Sequence, residues 1–192
     1  MADLLIVRHG ESEWNAAGKW QGWADPALTA DGEEQARAAV PALRDQRLQA
    51  VACSDLRRAR RTAEILAEGL GLGPVHVDEG LRERNVGDFS GLTTAEIEAR
   101  WPGVLADWRS GRIQQPPNGE GAEFVDRVLA AIDRLATQFS GQRVLVVAHG
   151  GLIRTLWRHL GGEPGPAHHL GGLWVHLQDH GWANGAAWGR PA

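Results

Sequence analysis

The chain has 192 residues, of which 43 % are hydrophobic and 23 % are charged. These proportions are typical of an ordinary globular domain, and they exclude a disordered tail, a collagen-like rod and a coiled coil. Twenty basic and 24 acidic residues give a net charge of −4, which argues against a broad nucleic-acid-binding surface.

The N-terminus and the cysteine content bear on the compartment. The apolar run at residues 4–7 is shorter than the stretch of about 7–15 apolar residues in a signal peptide, and no run approaches the roughly 20 residues of a membrane span. Cys53 is the single cysteine, which permits no internal disulfide and no cysteine-based metal cage. We therefore expect a cytoplasmic protein without a membrane or nucleic-acid partner.

Short apolar runs alternate with amphipathic segments in the first half of the chain. Thr29 is a candidate N-cap for the first long helix, and Ser54 for the second. In chain order the pattern predicts a strand at residues 4–7, a loop at 11–28, a helix at about 31–47, a strand at 51–53, a helix at about 54–70 and a strand at 75–77.

The second half continues the alternation. It predicts an irregular loop at residues 80–92, short helices at 93–110 broken at 102–103, a proline loop at 115–119, a helix at about 123–139, a strand at 144–147, a helix to about 160 and a hairpin at 173–178 and 182–188. Neither a linker nor an internal repeat divides the chain. The alternation predicts an α/β fold, a three-layer αβα sandwich with a mostly parallel central sheet.

Two of the predicted strands end in the same way. One is followed by Arg-His-Gly at residues 8–10 and the other by Ala-His-Gly-Gly at 148–151. Ligands of parallel sheets bind beyond the carboxyl ends of the strands, so His9 and His149 are expected at one edge. A lone histidine at a strand end is usually an ordinary hydrogen-bonded polar residue, but two in matching contexts favour a site.

A run of arginines opens the helix that follows Ser54. Cations near a helix N-terminus oppose the helix dipole by about 0.3–1 kcal/mol each when exposed. We expect most of these side chains to be solvated, with Glu64 pairing with Arg60 at i,i+4. One or more of the four is expected to face a bound anion; they are Arg57, Arg58, Arg60 and Arg61.

Five motifs in order resemble those of the histidine phosphatase superfamily, in its phosphoglycerate-mutase-like branch. The similarity spans residues 3–178 and implies one catalytic domain over residues 1–192, with a small lid around 93–123. The motifs are Arg8-His9-Gly10-Glu11-Ser12-x-x-Asn15, Leu28-Thr29-x-x-Gly32, Ser54-Asp55-Leu56-x-Arg58-Ala59-x-x-Thr62-Ala63, Leu81-Arg82-Glu83 with Gly87-Asp88-Phe89-x-Gly91-Leu92, and Ala148-His149-Gly150-Gly151.

The resemblance implies a phosphatase that hydrolyses a small phosphate monoester through a phosphohistidine on His9. Glu83 would protonate the leaving oxygen and then activate water as a general base. Arg8, Arg58 and a protonated His149 would bind the phosphoryl oxygens, stabilise the transition state and keep His9 neutral. The reaction would use no metal and no cofactor.

Further positions match family residues that approach the phosphate or the substrate. These positions are Gly10, Asn15, Gln21, Gly22 and Gly150. The partner implied is a small phosphorylated metabolite, and a homodimer is common among such relatives.

Substrate specificity is expected to depend on the lid and on a tryptophan-rich loop. These segments carry Trp14, Trp20, Trp23, Trp101 and Trp108, which could form an apolar wall or pack into the core. The histidines near the C-terminus are expected to be solvated.

Three alternatives remain open at this stage. The segment between Glu83 and His149 is short for a phosphoglycerate-type mutase, and mutases tend to carry Asn where this chain has Gly151, so hydrolysis is favoured. A weak phosphate-binding module would usually have lost the nucleophile or the acid. A metal hydrolase could use His9, His149 and Glu83 as ligands, although Arg58 would repel a cation.

Overall fold

The computed structural model describes residues 2–163, 165–178 and 181–189. Within them, strands and helices alternate as the sequence predicts, except that the predicted loop at residues 11–28 contains a one-turn helix at Glu13–Ala16. They are β1 (Asp3–Arg8), α1 (Glu13–Ala16), α2 (Ala30–Arg44), β2 (Ala50–Cys53), α3 (Arg57–Leu70), β3 (His76–Val77), α4 (Thr94–Arg100), α5 (Val104–Arg109), α6 (Glu123–Gln138), β4 (Arg143–Ala148), α7 (Gly150–His159), β5 (Gly172–Gln178) and β6 (Gly181–Trp188), with 3-10 turns at Glu79–Leu81 and Gly87–Phe89.

The strands form one sheet in the order β3-β2-β4-β1-β5-β6. The first four run parallel to one another, whereas β5 is antiparallel to β1 and to β6. The mostly parallel sheet and the terminal hairpin are therefore confirmed. None of the helices in the described ranges combines the length and the apolar character that a bilayer crossing requires.

Helices cover both faces of the sheet because apolar side chains of the central strands alternate between the faces. Leu4 and Ile6 of β1 pack in one core with α6 and α7. Leu5 and Val7 pack in a second core with α2 and α3. The result is the expected three-layer αβα arrangement.

The register of β1 and β4 positions the site. Arg8 lies opposite Ala148 at the ends of the two strands, and the His9 amide donates to the Ala148 carbonyl at 3.0 Å. Both strands thus end at the same level of the sheet edge. His9 and His149, each the next residue along, are brought together as predicted.

Two helix boundaries differ from expectation. Thr29 caps α2 through the Gly32 amide at 2.9 Å, as predicted, but α2 ends three residues early at Arg44. Ser54 is not the N-cap of α3, because its hydroxyl accepts from the Leu56 amide at 3.3 Å and forms a turn. Leu56 occupies the cap position without a side-chain hydrogen bond.

Two short helices, α4 and α5, stand beside the sheet edge and are separated at Gly103, whose φ of 81° favours glycine. They enclose a small apolar cluster around the buried Phe89. The ring centroids of Trp101 and Trp108 lie 5.5 and 6.1 Å from the ring centroid of Phe89. Trp101 and Trp108 therefore pack into this apolar cluster, which is one of the two roles expected of the tryptophans.

Candidate active site

His9 is buried, with 3 % of its surface exposed, and its ring is held by two contacts. The Nδ1–H donates to the Gly10 carbonyl at 2.6 Å, and Nε2 accepts from Arg58 Nε at 3.3 Å. Burial, then the charges of Arg58 and Arg8, hold the pKa of His9 well below its usual range. The ring is therefore neutral, with its lone pair on Nε2, the form that a nucleophile requires.

Of the four arginines in the run, Arg58 is the one that is buried in the described structure, with 1 % of its surface exposed. Its Nη1 donates to the Ala24 carbonyl at 2.7 Å and its Nη2 to the Gly22 carbonyl at 2.9 Å. Burial lowers the pKa of Arg58 to about 10, so the guanidinium remains charged at neutral pH. Two backbone carbonyls of the loop before α2 thus hold the Arg58 guanidinium beside His9.

The other arginines of the run are exposed, as the solvated-face interpretation predicts. Arg60 pairs with Glu64 at 3.1 Å, the expected i,i+4 pair. Arg61 pairs with Glu33 of α2 at 2.8 Å. These exposed pairs contribute little to stability and none to the site.

His149 lies beside His9, with 5.2 Å between the ring centroids. It is fully buried, and neither ring nitrogen has a hydrogen-bond partner among the described residues. Burial and the charge of Arg58 hold the pKa of His149 well below its usual range. In the absence of a bound anion the ring is therefore neutral and presents one N–H that lacks an acceptor among the described residues.

The carboxylate of Glu83 is held by two backbone amides. Oε1 accepts from the Arg84 amide at 2.9 Å and Oε2 from the Gly151 amide at 2.8 Å. Neither neighbouring arginine pairs with it: Arg82 binds Asp55, and the Arg84 guanidinium donates to backbone carbonyls. The Glu83 carbonyl is itself fixed by Trp23 Nε1 at 2.8 Å. This arrangement aims the carboxylate at the pocket and leaves it without an ion pair.

Gly151 is required for this arrangement, because a Cβ at this position would overlap Glu83 Oε1 and lie 2.8 Å from Glu83 Cδ. We expect Gly151→Ala to displace the carboxylate and to lower kcat by about 10²-fold, the scale of a lost proton transfer. Alanine is a better helix former, so the melting temperature should not fall. Steady-state kinetics and thermal unfolding check this result. Gly165→Ala is the control, since an added Cβ there meets no described residue within 4 Å. An unchanged kcat in Gly151→Ala would contradict the role.

The two buried histidines predict an acid-sensitive fold. Their folded-state pKa values lie below the ~6.5 of an unfolded histidine, so unfolding takes up protons below that pH. The free energy of unfolding is therefore undiminished above pH 6.5 and falls by up to about 3 kcal/mol per pH unit below it. Urea unfolding between pH 7 and pH 5 measures this slope. His149→Gln should halve the slope, and a stability independent of pH in this range would be inconsistent with two neutral buried rings.

Four of the five residues expected to approach the phosphate line the pocket: Asn15, Gln21, Gly22 and Gly150. Gly10 does not line the pocket. Its amide donates to Thr62 Oγ1 at 3.1 Å, so it is not available to a phosphate. The prediction of phosphate binding by Gly10 is therefore not supported. The motif glycine instead allows the close approach of α2.

The pocket has a volume of about 720 Å³ and opens at the carboxyl edge of the sheet. Arg8, His9, Arg58 and Glu83 lie in its wall, together with the N-terminus of α7. Trp14, Trp20 and Trp108 also line it, so these rings are available to a substrate. The helix N-terminus and the arginines favour a phosphate-sized anion. His149 is fully buried and is not among the residues that line the pocket.

A loop missed by sequence reasoning supports Arg8. Arg8 Nη1 donates to the Ala167 carbonyl at 2.9 Å, and the Leu170 amide donates to the Arg8 carbonyl at 3.0 Å. The ring of His169 lies 6.3 Å from that of His9, and burial lowers the pKa of His169 to about 4. His169 was expected to be solvated, but burial lowers its pKa. No sequence pattern predicts that a loop so distant in the chain contacts Arg8.

The metal-hydrolase alternative finds no donor set in the described ranges. No group of three His, Cys, Asp or Glu side chains there lies close enough to hold a metal ion. The charge of Arg58 next to His9 also opposes a cation.

Known proteins are similar to this chain over most of its length. The family model described as the histidine phosphatase superfamily (branch 1) matches residues 4–173. A glucosyl-3-phosphoglycerate phosphatase from Mycolicibacterium vanbaalenii is 39% identical over 95% of this chain and 86% of its own length. A 2,3-bisphosphoglycerate-dependent phosphoglycerate mutase from Methylobacterium sp. is 42% identical over 80% of this chain and 77% of its own.

A solved structure gives the same result. The mycobacterial glucosyl-3-phosphoglycerate phosphatase in complex with VO3 superposes with a TM-score of 0.86 at 30% identity, covering 96% of this chain and 97% of that one. The protein described above therefore belongs to the histidine phosphatase superfamily, branch 1.

Proposed function

We propose that this protein is a phosphatase that hydrolyses a small phosphorylated metabolite through a phosphohistidine on His9. The observation that carries the proposal is the neutral His9 ring, whose Nε2 accepts a hydrogen bond from Arg58 in a strongly cationic pocket. The similarity to a named phosphatase over nearly the whole chain supports hydrolysis.

In the first step the phosphate dianion binds between Arg8, Arg58 and the N–H of His149. Nε2 of His9 attacks phosphorus in line with the ester oxygen, the N–P bond forms and the P–O bond breaks. Glu83 in its protonated form transfers its proton to the departing oxygen, which leaves as an alcohol. Arg58 and His149 stabilise the charge on the equatorial oxygens.

In the second step the carboxylate of Glu83 removes a proton from a water molecule that attacks the phosphohistidine. The N–P bond breaks, the electron pair returns to Nε2, and inorganic phosphate leaves. His9 is again neutral and Glu83 again carries the proton. The Nδ1–H···O contact with Gly10 holds the ring in one tautomer throughout.

A phosphoglycerate-type phosphomutase is the second candidate, favoured by the 42% identity to a named mutase. A mutase retains its product for a second phosphoryl transfer, so it must exclude water. We propose that residues 93–123 form a small lid over the pocket, with Trp108 of α5 in its wall. A lid of this size, open at the pocket mouth, favours water as the acceptor.

The proposal is tested with p-nitrophenyl phosphate in excess EDTA, beside a 3-phosphoglycerate mutase assay. We expect phosphate release that EDTA does not reduce, without mutase turnover. Hydrolysis lost in EDTA would indicate a metal enzyme, and mutase turnover would establish the second candidate. Silence in both assays would leave a narrow-specificity enzyme or a phosphate-binding module. We also propose a reducing, cytoplasmic location, which the single cysteine, Cys53, supports because a chain with one cysteine forms no internal disulfide.

A further inference from the structure

The outer wall of the pocket carries cations that the proposed chemistry does not use. Four such side chains line the pocket, and within the described part of the chain none of them forms an ion pair or a side-chain hydrogen bond: Lys19, Arg109, Arg154 and Arg158. Many other exposed arginines are paired with carboxylates, among them Arg37, Arg60, Arg61, Arg112 and Arg134. None of the basic side chains that line the pocket forms an ion pair within the described part of the chain.

The charge of the pocket is out of proportion to one phosphate. Among its lining residues are seven arginine or lysine side chains and a single carboxylate, that of Glu83. Like charges that face one another in a concave site repel, and a bound anion relieves this repulsion. A phosphate monoester brings two negative charges, which Arg8, Arg58 and α7's N-terminus already neutralise.

The arginines of α7 lead outward from the phosphate position. Gly150 begins the helix, Arg154 follows one turn later and Arg158 one turn after that. At about 1.5 Å of rise per residue, these positions lie about 6 and 12 Å along the axis from Gly150. Residues four apart share a helix face, so both guanidinium groups border the pocket. Arg154 leans back toward the phosphate, with Nη1 3.2 Å from the place of a Cβ on Gly150.

We propose that the substrate carries a second acid group beside the scissile phosphate, and that Arg154 and Arg158 bind it. This inference rests on the proposed function. A guanidinium fork binds a carboxylate or a phosphate through two parallel hydrogen bonds, so either group fits. Lys19 and Arg109 add positive charge at the pocket mouth. The substrate class is therefore a phosphorylated acid or a bisphosphate rather than a neutral phosphate ester.

Matched substrate pairs test the proposal. 3-Phosphoglycerate differs from glycerol 3-phosphate by a carboxylate in place of a hydroxymethyl group, and fructose 1,6-bisphosphate differs from fructose 6-phosphate by one phosphate. We expect kcat/KM to be about tenfold or more higher for the acidic member of at least one pair, the scale of one charge-assisted contact. The pair that shows the preference identifies the second group as a carboxylate or a phosphate. The preference should weaken at high ionic strength because the cations are exposed.

Variants assign the preference to α7. Arg158→Gln and Arg154→Gln should each lower the ratio of kcat/KM between the acidic and neutral members by about tenfold, chiefly through KM. Arg47→Gln is the matched control, because it removes an exposed arginine outside the pocket and should leave the ratio unchanged. Equal kcat/KM for both members of both pairs, or a ratio that survives Arg158→Gln and Arg154→Gln, would overturn the inference while p-nitrophenyl phosphate is still hydrolysed. Loss of all hydrolysis in the unmodified protein would instead remove the proposed function.

Discussion

His9→Ala is expected to lower phosphatase turnover by at least about 10⁴-fold on every ester, because it removes the atom that forms the covalent intermediate. His149 does not occupy the position from which His9 attacks, since the centroids of the two rings lie 5.2 Å apart. The variant also leaves the Gly10 carbonyl and Arg58 Nε without the contacts they make to the ring, at a cost of about 1–3 kcal/mol in stability. Initial rates with p-nitrophenyl phosphate and urea unfolding measure both effects.

His159→Ala is the matched control for this variant. His159 is exposed at the end of α7 and lies outside the pocket, so its replacement should leave the rate within about twofold of the original. A folded His9→Ala protein that retains more than a few per cent of the activity would show that another group attacks phosphorus.

Glu83→Gln is expected to slow the hydrolysis of alkyl phosphates by about 10²–10⁴-fold, because an alkoxide leaves poorly without a proton. p-Nitrophenolate is a stable leaving group and needs no proton, so the first step on p-nitrophenyl phosphate should slow by less than about tenfold. The amide also turns an N–H toward the amide of Arg84 or of Gly151, since both carboxylate oxygens now accept from backbone donors. Single-turnover rates on both substrates separate the acid step from the water step.

Glu79→Gln provides the control on the same segment, since the Glu79 side chain is 81% exposed and does not line the pocket. Its rates on both substrates should match those of the original protein. If Glu83→Gln slowed the first step equally for glycerol 3-phosphate and p-nitrophenyl phosphate, Glu83 would not be the proton donor.

Local patterns in the sequence were sufficient to place the two histidines. Each follows a buried apolar strand, and parallel strands end at a common edge, so His9 and His149 could be paired before the structure was known. The same reasoning could not say which arginine of α3 enters the site. That choice depends on where the helix begins, and the helix begins three residues later than Ser54. Only then does Arg58 point inward.

Features that depend on tertiary contacts were not predictable. Gly10 matches a motif position, yet its amide is bound to Thr62, which lies on α3 far along the chain. The pKa of His149 without a bound anion depends on its complete burial next to Arg58, which lowers it well below the usual range. The position of His169 beside His9 depends on a loop in which Leu170 has a φ of 57°. No local sequence pattern predicts this backbone conformation.

Trapping the phosphorylated enzyme tests the central claim most directly. The protein is mixed with excess p-nitrophenyl phosphate, quenched with strong base within the first turnovers, digested and analysed by mass spectrometry. We predict one added phosphoryl group on the peptide that contains His9, stable in base and lost in acid, and absent from His9→Ala. Rapid hydrolysis with no phosphorylated peptide, or with the group on a residue other than His9, would contradict the proposed mechanism.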